Sequence, residues 1–168
     1  DLHAHSSLRT MQTVPLLREC EEGFLRALAP KLTHHGYEAG ERVELVEASL
    51  CIVTRGTAVR GGRPIVLNEY WGEDMIVTSP ALRDARPGAA LTYVEIVCLS
   101  RVALLDELKH WPQSRHEIHI AAATIAMSRA PCLIANYLGR EKKSKDDLTN
   151  ALMNLGNKNV SAYDKEFH

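Results

Sequence analysis

The sequence predicts an α+β domain, an antiparallel β-roll of jelly-roll-like kind with an N-terminal helix and two C-terminal helices. Three observations carry that expectation. Apolar residues recur at helical spacing on both flanks of the chain's middle. Short β-branched segments separated by glycines fill the middle itself. The hydrophobic share, 45% of 168 residues, is that of an ordinary globular core.

Leu2 to Thr13 has helical spacing with Leu8 and Met11 on one side, and Val14-Pro15 breaks it. Glu19 to Leu32 is amphipathic: Phe24, Leu25, Leu28 and Leu32 fall at i, i+1, i+4 and i+8, and His34-His35-Gly36 ends the helix. Ala39-Gly40 is a turn. Arg42 to Val46 alternates, and Leu50 to Thr54 is a buried strand. Thr57 to Arg60 and Pro64 to Leu67 flank Gly61-Gly62, a hairpin signal. Asp74 to Val77 continues as strand from a Gly72-Glu73 turn, and Leu91 to Leu99 is a long strand. Helix returns at Arg101, with Leu104, Leu105 and Leu108 on one face. Pro112 opens the next helix, at a position proline tolerates. Its stripe is Ile118, Ala121, Ala122, Ile125 and Arg129, and Pro131 is expected to kink or stop it. Beyond it, Glu141 to Asp147 is read as a charged linker, Leu148 to Leu155 as a short helix and the remainder as loosely ordered.

Composition excludes several function classes. With 20 basic residues against 21 acidic, the chain carries no bulk charge for gripping nucleic acid. Its longest apolar runs fall well short of the roughly 20 residues of a membrane span. No targeting segment is legible. The chain opens on Asp1 rather than Met, as expected of a piece of a longer protein. Cys20, Cys51, Cys98 and Cys132 form no C-x-x-C pair and are expected to be reduced thiols in a cytosolic setting. His3-x-His5 lacks the further ligands a metal needs. No nucleophile, base and orienting acid share a legible pattern, so no catalytic residue is assigned and the chain is not read as an enzyme.

The run Tyr70-Trp71-Gly72-Glu73, with Arg83-Asp84-Ala85 ten residues on, carries the chemistry. Glycine lets a ligand approach the main chain. A glutamate accepts hydrogen bonds from ribose hydroxyls, and a guanidinium pairs with phosphate through two parallel bonds.

In this setting residues 1–130 resemble the cyclic nucleotide-binding domain found at the C-terminus of tetrameric voltage-gated-type cation and potassium channels. Val14-Pro15-Leu16-Leu17-Arg18 resembles that family's V-P-x-F-R, and Phe24-Leu25-x-x-Leu28 its first helix. Tyr37-Glu38-Ala39-Gly40-Glu41 is similar to Y-x-P-G-E, and Ile52-Val53-Thr54-Arg55-Gly56 to F-I-x-x-G. Trp71-Gly72-Glu73 resembles F-G-E at the head of the phosphate cassette, and Leu91 to Ile96 the strand after it. The resemblance implies residues 1–18 as the end of a C-linker helix, 19–130 as the nucleotide-binding-like domain and 131–168 as a partly ordered tail. It implies a homotetramer on the cytoplasmic face of a membrane, joined to pore and C-linker in the same chain, with cAMP or cGMP as the ligand. Glu73 would hold the ribose and Arg83 the phosphate, within a cassette of Gly72, Glu73, Asp74, Arg83, Asp84 and Ala85. Ile65 would touch the purine, and Ile125 or Arg129 would close from the lid.

The cassette departs from the family pattern. Asp84 stands where binders carry a neutral residue, and a carboxylate there repels a phosphate. The stretch after Arg83 is longer by about one residue and holds Arg86-Pro87-Gly88, where Arg86 competes with Arg83. Gly40 to Gly56 is shorter than the matching family stretch, and Asn68-Glu69 replaces Gly-Asp. The cassette is therefore degenerate, and weak or lost nucleotide binding is one expectation. A second is a self-liganded or ligand-free assembly module. The ether-à-go-go type channels place an aromatic-Asn-Leu triplet in the pocket, and here Asn136-Tyr137-Leu138 follows the lid helix, so Tyr137 and Leu138 would be the internal ligand. A third is a cyclic nucleotide regulatory domain of a kinase or transcription factor, although no helix-turn-helix follows the lid helix.

Overall fold

The computed structural model describes residues 2–45 and 47–166, with side chains described for 7–45, 47–150 and 153. Two compact units divide the chain, Asp1–Met127 and Ser128–His168.

The first unit opens with three helices, α1 (Leu2–Gln12), α2 (Pro15–Arg18) and α3 (Glu22–Leu28), the last continued by a 3-10 turn at Ala29–Lys31. Pro15 sits at the start of α2, where a missing N–H costs nothing. Eight strands follow: β1 (Thr33–Tyr37), β2 (Arg42–Val43), β3 (Ser49–Arg55), β4 (Ala58–Arg60), β5 (Arg63–Ile65), β6 (Tyr70–Trp71), β7 (Gly88–Ala90) and β8 (Val94–Ser100). They form two four-stranded antiparallel sheets, ordered β1-β8-β3-β6 and β2-β7-β4-β5. Helix α4 (Arg101–Glu107) follows directly, its N-terminus capped by the Ser100 hydroxyl accepting from the Ala103 N–H at 3.2 Å. Helix α5 spans Pro112–Glu166.

Side-chain alternation along β3 explains the layering. Leu50 and Ile52 join a core with Met11, Leu17, Phe24, Leu28, Met75, Leu104 and Ile118 from the helical side. Cys51 and Val53 face the other way, into a core with Val43, Ala58, Ile65 and Ala90 from the second sheet. Strand β8 does the same, with Leu99 in the first core and Val94, Ile96 and Cys98 in the second. Strands covered on both faces read as unbroken apolar runs, which is why these two were the plainest in the sequence. The start of α5 is fixed to α3's start. Buried Ser114 donates its hydroxyl to Glu21 Oε2 at 3.1 Å and accepts the Glu21 N–H at 3.1 Å.

Several expectations need correction. His34-His35-Gly36 does not end a helix; it lies in β1, paired with Val97, Ile96 and Glu95 of β8. The second helix is shorter than Glu19 to Leu32, because Pro30 enforces the 3-10 turn. Arg42 to Val46 shrinks to Arg42–Val43, with Val46 outside the described residues. Pro64 to Leu67 shrinks likewise to Arg63–Ile65. Asp74 to Val77 is no strand: Glu73–Ile76 is a 3-10 turn entered from left-handed Gly72. Leu91 to Tyr93 is not strand either, since Leu91 and Thr92 turn back to donate to the Thr57 carbonyl.

The tail differs most. Helix α5 runs through Pro131 and takes in the segments read as linker, short helix and loose end. The sequence there suits a helix, since Glu141 with Lys145, Lys142 with Asp146 and Lys143 with Asp147 are opposite charges at i, i+4. Within Pro112–Asn150, one 18-residue window has a mean hydropathy of 1.5 and is long and apolar enough, by length and composition alone, to cross a membrane.

Candidate functional site

A cavity of about 610 Å³ opens in the first unit beside the Gly72 turn, within the usual size of small-ligand pockets. Val43 to Leu45, Glu47 to Ser49, Trp71, Gly72 and residues 83–88 are among the residues that line it. Gly72 is required where it stands. Its φ is +85°, and a Cβ would come 2.1 Å from the Ser49 carbonyl oxygen. The reversal it permits starts the Glu73–Ile76 turn, and the Met75 N–H closes on the Gly72 carbonyl at 3.0 Å.

Glu73 does not line the cavity. It lies beside Tyr70, whose hydroxyl pKa is raised first by burial and then by the Glu73 charge and hydrogen bond. Its neighbour Asp74 takes the cavity position. Buried Asp74 accepts the Asp84 backbone N–H through Oδ2 at 2.6 Å.

Arg83 lines the cavity, but its guanidinium is engaged within its own loop. Nε donates to the Val77 carbonyl at 2.8 Å and one Nη to the Thr78 carbonyl at 2.9 Å. Asp84 is held by two other arginines. Arg86 grips it in a fork, with Nε at 2.9 Å from Oδ1 and Nη2 at 2.6 Å from Oδ2, and Arg60 Nη1 stands 3.6 Å from Oδ2. The Arg86 fork, opposed by partial burial and helped by the Arg86 N–H and the Arg60 charge, holds the Asp84 carboxyl well below the usual carboxylate range. Ala85 lines the cavity and is exposed.

Thus Gly72, Asp74, Arg83, Asp84 and Ala85 come together at one cavity, and Glu73 turns away from it. Ile65 is buried between the sheets, opposite Ala58. Ile125 packs on the helix-side core. In the second unit Arg129 is half-buried on α5, while Tyr137 and Leu138 are exposed there by 64% and 57%.

Arg60 is the site residue that the sequence reading missed. The signal was present: Arg60 lies two residues from buried Ala58, on the inward face of β4. Three guanidinium groups, of Arg60, Arg83 and Arg86, face four carboxylates, of Glu44, Glu47, Asp74 and Asp84, among the lining residues. That balance does not favour an incoming anion. Among the described residues no three His, Cys, Asp or Glu side chains converge to hold a metal ion.

No protein-family model matches the chain, and no curated protein matches it.

Proposed function

We propose that this chain is the cytosolic regulatory domain of a tetrameric ion channel, built on a jelly-roll-like β-roll of the cyclic nucleotide-binding kind, with its phosphate cassette closed to free nucleotide. The observation that carries the proposal is the 610 Å³ cavity beside the Gly72-to-Gly88 segment, which Arg83 lines while its guanidinium is bonded to the Val77 and Thr78 carbonyls. Helices before the sheets, helices after them and a left-handed glycine heading a 3-10 turn support the same reading. The domain regulates rather than catalyses. Its first helix links to the pore-bearing part of the chain at the cytoplasmic face, and bias between cavity states reaches the pore only through contacts that differ between those states.

Calorimetry with cAMP and cGMP tests the cassette: binding is expected to be millimolar or weaker, and micromolar binding overturns the closed-cassette reading. Recording currents from the full-length protein, with and without this domain, tests the channel role. Unchanged currents on deletion would sink it.

A further inference from the structure

We propose that Asp84 is the cavity's built-in anion, occupying the guanidinium pair Arg60 and Arg86 that would otherwise take a phosphate group. The inference rests on reading this cavity as a nucleotide-type site, but its chemistry is argued from the contacts alone.

The Asp84 carboxylate receives donors as a bound phosphate would. Arg86 supplies Nε to Oδ1 at 2.9 Å and Nη2 to Oδ2 at 2.6 Å, with a third contact at 3.1 Å. The Arg86 backbone N–H adds a bond to Oδ1 at 3.0 Å, and Arg60 completes the ring at 3.6 Å. Arg60 is built in place, whereas Arg86 is largely exposed and is oriented by Asp84 itself. Arg60 is only 13% exposed and donates Nε to the Arg86 carbonyl at 2.8 Å and Nη2 to the Asp84 carbonyl. Arg86 lies over Gly61, where a Cβ would meet its Nη1 at 2.4 Å, so the bare glycine makes room for the fork. Both guanidiniums remain charged at any working pH. Removing the carboxylate leaves two positive groups at the cavity wall with the geometry that phosphate recognition uses.

The test compares wild type with Asp84→Ala and Asp84→Asn by calorimetry at low salt, using inorganic pyrophosphate and cAMP as probes. Circular dichroism checks that each variant is folded. The expected result is about ten- to a hundredfold tighter pyrophosphate binding in both variants, lost again in Asp84→Ala/Arg60→Met and weakened by added salt. Tighter cAMP binding as well supports the nucleotide-type reading. Tighter pyrophosphate binding without cAMP binding keeps the built-in anion and counts against that reading. Folded variants that bind neither probe better than wild type overturn the proposal, as does failure of both variants to fold, which would mark Asp84 as a purely structural residue.

Discussion

Asp74 and Asp84 are joined by one short bond: the buried Asp74 carboxylate accepts the Asp84 backbone N–H at 2.6 Å. The bond ties the 3-10 turn after Gly72 to the loop before β7 and fixes where Asp84 meets its arginines. Asp74→Ala leaves that N–H without its acceptor. It is expected to lower stability by about 1–3 kcal/mol, read from urea unfolding. Asp74→Asn keeps an acceptor oxygen and is expected to recover part of the loss.

Gly72 and Gly62 separate two costs of a side chain. Both have positive φ, +85° and +79°, but a Cβ at Gly72 strikes the Ser49 carbonyl while Gly62 has open space around it. Gly62→Ala is expected to cost about 1–2 kcal/mol, from backbone strain alone. Gly72→Ala carries the same strain plus the clash, and about 2–4 kcal/mol is expected. Thermal unfolding of the pair checks the order; equal losses would refute the close approach.

The thiols divide by access. Cys51 and Cys98 are cross-strand neighbours with Sγ atoms 3.2 Å apart, and the Cys51 pKa is raised by its bond with Cys98 and by burial. Burial pushes Cys20 up to about 11, whereas Cys132 is exposed. A disulfide reagent at pH 8 should label Cys132 first. Cys51 and Cys98 are expected to follow about a thousandfold more slowly, only as the sheets open. Peptide mapping of the labelled sites checks the order.

Acid should weaken the domain through Asp84. Its folded-state pKa is depressed below the ordinary value of 3.8, so the unfolded chain binds more protons as pH falls through that value. The contribution is fully present above about pH 5 and is lost as pH falls toward the folded-state value. A loss on the order of 1–2 kcal/mol is expected, since Asp84 is partly exposed and Arg86 largely so. Urea midpoints between pH 6 and 2 should fall less steeply in Asp84→Asn.

The strands that were plain in the sequence are those whose residues decide for themselves. Ser49–Arg55 and Val94–Ser100 are rich in Val, Ile, Leu and Cys, and burial on both faces agrees with that content. Thr33–Tyr37 was hidden because His34, His35 and Gly36 carry little strand preference, and the partner strand β8 imposes the pairing. In α5 a charge-rich stretch that looks like a linker also has the i, i+4 spacing of opposite charges that a helix tolerates. At the site, the residue types around Gly72 and Arg83 were legible but their partners were not. A guanidinium bonds to whatever acceptors its loop presents, and the Val77 and Thr78 carbonyls present themselves only once the turn at Glu73–Ile76 has formed.

That pinning of Arg83 has a consequence for time rather than affinity. An anion seeking this guanidinium must wait for the loop to release it, because both backbone bonds must break first. Capture would then be gated by loop opening, and its observed rate would level off with rising ligand concentration instead of climbing with every encounter. An anion present only briefly would be missed, and one that outlasts the wait for opening would be caught.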